Sequence, residues 1–130
     1  MIPQIAHRYP LLLVDRVLES RTGEYVKATK NVSFNEKVFL GHFPNHPIYP
    51  AIYIIEGLCQ CAQVMLGAEK AVTAKLESFK FTRPVYPGDQ ITYEVELESM
   101  MGAFQIAKAV ASVNGKAVSK GTIVGCKLSE

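Results

Sequence analysis

GHFPNHPIYPAIYIIEGLCQCAQ, residues 41–63, decides the fold. Its first half cannot be a helix. Pro44, Pro47 and Pro50 each lack an amide donor, fix φ and push the residue before them toward extended backbone. The expectation is a stiff, extended segment that carries His42 and His46. Proline is tolerated in a first helical turn, so a helix can begin at or just after Pro50. From Ala51 to Ala68 the sequence then reads as one helix, roughly 27 Å long at about 1.5 Å per residue.

That helix is apolar nearly all round, which predicts burial rather than a place on the surface. Its polar interruptions are Glu56, Gln60 and Gln63, at i, i+4 and i+7, so they share one stripe. A carboxylate on an otherwise buried helix is costly unless it is paired or has a task. An extended histidine segment leading into such a helix makes His42 and Glu56 candidates for an acid/base pair. Blander readings stand beside this one: His42 as a hydrogen-bonded structural histidine, and Glu56 as a cap for neighbouring backbone or a subunit contact. His42 and His46 together suggest metal, but the intervening prolines prevent the i,i+4 geometry of a zinc-binding helix, and no cysteine or third histidine lies nearby in sequence.

The chain has 130 residues, enough for one domain with a real core, and the expectation is a single domain over 1–130. With 48% hydrophobic and 20% charged residues the balance is globular, and a net charge of +2 without a basic stripe interleaved with aromatics argues against nucleic-acid binding. The three cysteines, Cys59, Cys61 and Cys126, are an odd count and not a disulfide framework. Met1-Ile2-Pro3-Gln4 lacks a basic region and a long apolar core. Reduced thiols in a cytoplasmic protein are expected. Glu56, Gln60 and Gln63 make 51–68 a buried soluble helix rather than a membrane span.

The rest of the chain reads as sheet. A mostly apolar strand is expected from about Leu12 to Glu19, then a turn at Arg21–Glu24. Val26, Ala28 and Val32 alternate with Lys27, Thr29 and Asn31 in a half-buried strand over Tyr25–Val32. Ser33-Phe34-Asn35-Glu36 has a capping-box pattern and predicts a helical turn at about Asn35–Phe39. Gly67–Ser78 reads as a short connection, Phe79–Arg83 as a strand, and Pro87-Gly88-Asp89 as a turn. In Gln90–Ser99, Ile91, Tyr93, Val95 and Leu97 face one way and Thr92, Glu94, Glu96 and Glu98 the other. Ala103–Val113 and Lys116–Lys127 are strands joined by the hairpin turn Asn114-Gly115. About five mostly hairpin-connected strands and one long apolar helix define an α+β fold in which a curved antiparallel sheet wraps a central helix.

The stretch GHFPNHPIYPAIYIIEGLCQ resembles the signature of the bacterial (3R)-3-hydroxyacyl-[acyl-carrier-protein] dehydratases of type II fatty-acid synthesis. HRYPLLLVDRV, KNVSFNE, FTRPVYPGDQ and VNGKAV resemble further blocks of that family in the same order, from roughly Ala6 to Val124. The resemblance implies a hotdog fold. It also implies a homodimer with a continuous sheet, which in many members assembles as a trimer of dimers. Active sites then lie at the dimer interface, with a histidine from one subunit and an acid from the other's helix: here His42 and Glu56. Related dehydratase–isomerases place Asp at the acid position, so Glu56 points to dehydration without isomerisation.

Dehydration needs a base for the C2 proton, an acid for the departing hydroxyl and donors for the thioester oxygen. The expected base is His42. Glu56 is the expected acid or water-positioning group, with helix burial favouring its protonated form. The resemblance places a thioester contact at Ala51, where the family has glycine; if that position needs positive φ, alanine there costs roughly 1–2 kcal/mol. Gln60 reads as a partner of the acid or as a helix-packing residue. Tyr49 and Tyr53 are bulky near the helix entrance. With the short Gly67–Ser78 connection they suggest short or specialised acyl chains. Lys80, Arg83, Lys108, Lys116 and Lys120 are candidates for docking an acidic acyl carrier protein. The sequence shows no nucleotide loop, metal cluster or redox-cofactor motif, and the reaction needs none. The rival readings are an acyl-thioester hydrolase, which generally lacks the His-Phe-Pro-x-His-Pro run, and a non-catalytic acyl-binding or assembly partner, favoured by Ala51 and the short connection.

Overall fold

The structure, a computed structural model, describes residues 5–67 and 71–128. Its elements run β1 (Arg16–Arg21), β2 (Tyr25–Asn31), a 3-10 turn (Lys37–Leu40), α1 (Ala51–Leu66), β3 (Ala71–Phe81), β4 (Gln90–Met101), β5 (Phe104–Val113) and β6 (Lys116–Lys127). The strands form one six-stranded sheet in the order β1-β2-β4-β5-β6-β3, with every neighbouring pair antiparallel. Alternation sets which face is inside. Val26 and Ala28 on β2, Ile91, Tyr93 and Val95 on β4, and Ala107, Ala109 and Ala111 on β5 are all buried toward α1. The small side chains of β5 leave room for the helix, and a Cβ at Gly57 would land against the Tyr93 hydroxyl and ring. A sheet curved around one buried helix is the hotdog fold.

Helix α1 begins where proline allows it. Pro50 is its N-cap residue at φ −62°, and its carbonyl accepts from the Tyr53 and Ile54 amides. It ends at Gly67, whose φ of 66° turns the chain away while its amide bonds back to Gln63 and Val64. Ala68, the expected last helical residue, lies outside the described residues. Ile54, Leu58, Cys61 and Met65 are buried, and each such aliphatic or thioether side chain contributes roughly 1.5–3 kcal/mol on burial. Gln60 is fully buried among them. The helix is not sealed on every side, however: Ala51 and Ile52 are exposed and Tyr53, Ile55, Glu56, Gln63 and Val64 are half-buried.

Four expectations need correction. The strand expected over Phe79–Arg83 begins at Ala71 instead: most of the expected Gly67–Ser78 connection is part of the 11-residue β3, and the sheet has six strands where about five were expected. Bulges between Thr73 and Lys75 and between Glu77 and Lys80 break the alternation that would have marked it. Ser78 also sits at φ 55°. The first strand starts at Arg16 rather than Leu12: Leu13 and Val14 are buried, but the Leu13 amide bonds to the Gln60 side chain, and regular pairing begins afterwards. The helical turn after β2 is a 3-10 turn over Lys37–Leu40. The Glu36 carboxylate returns to the Ser33 amide at 2.8 Å, whereas the Ser33 hydroxyl accepts from Asn35, so only half of the capping box is made. Finally, the histidine segment is not continuously extended. Phe43 and His46 exchange backbone hydrogen bonds of 3.3 and 3.0 Å, closing a turn over Pro44-Asn45. Proline fixes φ but leaves ψ open, and Pro-Asn is favoured at the centre of a turn.

Candidate active site

The closed turn aims the first histidine. The His42 amide bonds to the Val38 carbonyl at 3.0 Å, which ties it to the 3-10 turn, and the Ile48 amide bonds to the His42 carbonyl at 3.1 Å. The ring is fixed as well, because His42 Nδ1 lies 2.7 Å from the Ile48 carbonyl oxygen. A carbonyl can only accept, so Nδ1 carries the hydrogen and Nε2 keeps its lone pair. His42 is half-buried and lines a cavity of about 360 Å³ with Tyr49, Ala51, Ile54, Phe81 and Arg83. His46 lies outside that cavity, exposed, with its ring edge-on to Tyr86 at 6.3 Å.

Ala51 stands at the cavity as the first residue of α1. The non-glycine residues at positive φ among the described residues are Ser78 and Asn114, so the feared left-handed strain at Ala51 does not arise. Its amide precedes the first donors that Pro50 satisfies, and it finds no acceptor among the described residues. An unpaired helix N-terminal donor beside a histidine lone pair can stabilise a developing oxyanion while a proton is removed. With Ala51 unstrained, one of the two sequence features that favoured a non-catalytic partner loses its force.

The acid keeps other partners in the chain. Glu56 and His42 share no hydrogen bond or ion pair. Glu56 Oε1 instead lies 3.2 Å from the Gln60 Nε2 donor and 3.1 Å from His7 Nε2. The Glu56 side chain is 44% exposed, so the expected burial of this acid is not found in the chain. The helix turns its stripe outward at Glu56 and inward at Gln60. Gln60 also takes the Leu13 amide at 2.8 Å and donates to the Leu11 carbonyl at 2.7 Å, fastening the N-terminal strap to α1.

The two tyrosines diverge. Tyr49 is buried and walls the His42 cavity; its hydroxyl has no partner among the described residues, and burial pushes its pKa well up. Tyr53 packs edge-on against it at 5.7 Å but faces a second cavity, between the N-terminal strap and the 3-10 turn. Of the five candidate docking cations, Lys108 is paired with Glu98 at 3.8 Å, while Lys80, Arg83, Lys116 and Lys120 have no ion-pair partner among the described residues. Lys80 and Lys120 sit directly opposite each other on β3 and β6, and Arg83 and Lys116 line one cleft beside the His42 cavity. Sequence reasoning missed His7. The available signal was that His7 is the one histidine of the three outside the His42–His46 segment.

A family model described as the FabA-like domain matches residues 5–122. The chain belongs to this family. Among its curated relatives, the 3-hydroxyacyl-[acyl-carrier-protein] dehydratase FabZ of Wolbachia pipientis subsp. Culex pipiens is 42% identical, over 95% of this chain and 91% of that protein. The enzyme of the same name from Erwinia tasmaniensis is 39% identical over 100% of this chain and 91% of its own length. Among solved structures, the dehydratase heterocomplex ApeI:P from Xenorhabdus doucetiae superposes with a TM-score of 0.78 at 15% identity, covering 99% of this chain and 89% of that one. A hypothetical thioesterase with coenzyme A from Streptococcus pneumoniae gives 0.72 at 16% identity, over 88% and 86%. Likeness at that identity reports the shared fold.

Proposed function

We propose that the protein removes water from a (3R)-3-hydroxyacyl thioester carried on acyl carrier protein, giving the trans-2-enoyl thioester. Family membership and the names of relatives near 40% identity support the reaction. The observation that carries the site is His42, locked by Ile48 with Nε2 free, in a cavity that also holds the unpaired Ala51 amide. In this reading His42 Nε2 takes the C2 proton, the Ala51 N–H steadies the thioester oxygen as negative charge builds, and Glu56 assists the departing hydroxyl, which leaves as water.

The separation of Glu56 from His42 within one protomer supports a site shared across a homodimer. The edge strand β3 is the proposed joining edge: its exposed Val72, Leu76 and Phe81 leave an apolar border unpartnered, and Phe81 also lines the His42 cavity. A further trimer of such dimers fits the same reading. Tyr49 as a buried cavity wall supports a preference for short or specialised acyl chains. The unpaired cations Lys80, Arg83, Lys116 and Lys120 support docking of an acidic carrier, and Lys108, already paired with Glu98, contributes less. One domain over the whole chain and a cytoplasmic place, in line with the unbridged thiols, complete the reading.

Incubation with 3-hydroxybutyryl and 3-hydroxyoctanoyl carrier thioesters, followed by product mass, tests the reaction. A product lighter by one water is expected. No mass change with either chain length, in protein shown to be folded and dimeric, would overturn the proposal.

A further inference from the structure

His7 has no role in the proton transfers, yet a network of hydrogen bonds fixes its place. Arg8 Nη1 donates to the Ile5 carbonyl at 2.6 Å and to the His7 carbonyl at 2.8 Å, and the Leu11 amide returns to the Arg8 carbonyl at 2.9 Å. The turn so formed is pinned to α1 by Gln60 through Leu11 and Leu13. Its product is a half-buried imidazole whose Nε2 lies 3.1 Å from Glu56 Oε1. The other ring nitrogen, Nδ1, is buried with no partner among the described residues. A hydrogen on Nδ1 would be a buried, unpaired donor, so the geometry favours the hydrogen on Nε2, where Glu56 accepts it.

Glu56 Oε1 therefore meets two donors, His7 from the strap and Gln60 from one turn further along α1. Glu56 Oε2 has no partner among the described residues. Two fixed bonds to one oxygen stop the carboxyl from rotating and leave a defined second oxygen for the substrate.

We propose that His7 is a positioning residue that, with Gln60, clamps Glu56 Oε1 so that Oε2 alone meets the departing hydroxyl. This rests on the dehydratase reading of Glu56. His7 does not reach the reacting atoms; it acts through the acid. Gln at position 7 places an N–H where the imidazole Nε2–H stood, whereas Phe fills the same volume with no donor.

The test is steady-state turnover of a 3-hydroxyacyl carrier thioester by the full chain and by His7→Phe and His7→Gln, each made alone and with Glu56→Gln. His7→Phe should lower kcat on the order of ten- to a hundredfold, the scale of a misplaced group, with KM little changed. His7→Gln should recover most of that loss. In the Glu56→Gln background His7→Phe should have no further effect. An equal loss in both backgrounds, or failure of His7→Gln to recover kcat in a protein of unchanged melting temperature, would overturn the clamp. The ring nitrogen shifts of His7 give a readout apart from turnover: the Nε2–H form should be the major one, and its Nε2 and Nε2–H resonances should shift in Glu56→Ala as the hydrogen bond to the carboxylate is removed. Absence of turnover in the unsubstituted protein would overturn the dehydratase reading, whereas turnover that ignores His7→Phe would overturn this inference alone.

Discussion

His42 Nδ1 and the Ile48 carbonyl meet at 2.7 Å across the 42–48 loop, so the other ring nitrogen, Nε2, keeps its lone pair. The loop around Pro44 and Asn45 exists to make that contact: it reverses the chain and brings residue 48 back beside residue 42. His42→Ala removes the proposed base and should lower kcat on the order of 10²- to 10⁴-fold, with near-native far-UV circular dichroism. Turnover within a few fold of the unsubstituted protein would show that another group takes the C2 proton.

Ala51 has right-handed helical backbone and offers only its N–H to the cavity, a group that glycine also has. Ala51→Gly should leave kcat essentially unchanged and lower stability by up to about 1 kcal/mol, the helix cost of glycine against alanine. Denaturant melts and initial rates on the same preparations measure both. A large gain in kcat on adding the glycine would mean that the loop needs more freedom than this geometry shows.

Burial of α1 predicts the order of thiol reactivity. Burial is the main cause that pushes up the pKa of Cys59, countered in part by a hydrogen bond with Thr73, and burial with the neighbouring Cys59 pushes up that of Cys61. Cys126 is half-buried at the end of β6. A thiol-specific disulfide reagent on native protein at neutral pH should therefore label Cys126 first and reach the two helix thiols only as the protein unfolds. Fast labelling of three thiols without denaturant would contradict the buried helix.

Tyr25 bonds to Glu94 at 2.9 Å across β2 and β4, and burial, followed by that bond, raises its pKa to about 12 from the ordinary 10.0. The folded state thus holds this proton more tightly than the unfolded chain. The contribution is complete below pH 10 and is lost as pH climbs toward about 12. Stability should fall over that window, and Tyr25→Phe should show a shallower fall than the unsubstituted protein in melts at stepped alkaline pH. Identical slopes would remove Tyr25 from the alkaline transition.

The helix, the regular strands and the hairpin turn were legible because each has a local cause. Ile91, Tyr93 and Val95 alternate cleanly, and Asn114-Gly115 takes positive φ at both residues, as its composition demands. β3 is legible only at its Phe79–Phe81 end, because two bulges disrupt its period and an edge strand has little buried face to advertise. The histidine turn is hidden in the sequence because three prolines suggest one extended run, although a proline says nothing about its own ψ. Of the candidate site, His42 and Ala51 fall in one cavity, while Glu56 stands apart with Gln60. The contact between His7 and Glu56 spans 49 positions and depends on where the strap crosses α1, which no local pattern encodes.

The central claim is that His42 and Glu56 act together across a subunit interface. Co-expression of differently tagged His42→Ala and Glu56→Gln chains, with mixed oligomers isolated through both tags, tests it most directly. In such a dimer one site carries both substitutions and the other carries neither, so turnover should return to about half the unsubstituted rate per dimer. Mixed dimers as inactive as either parent would contradict the shared site and return the acid and base to a single chain.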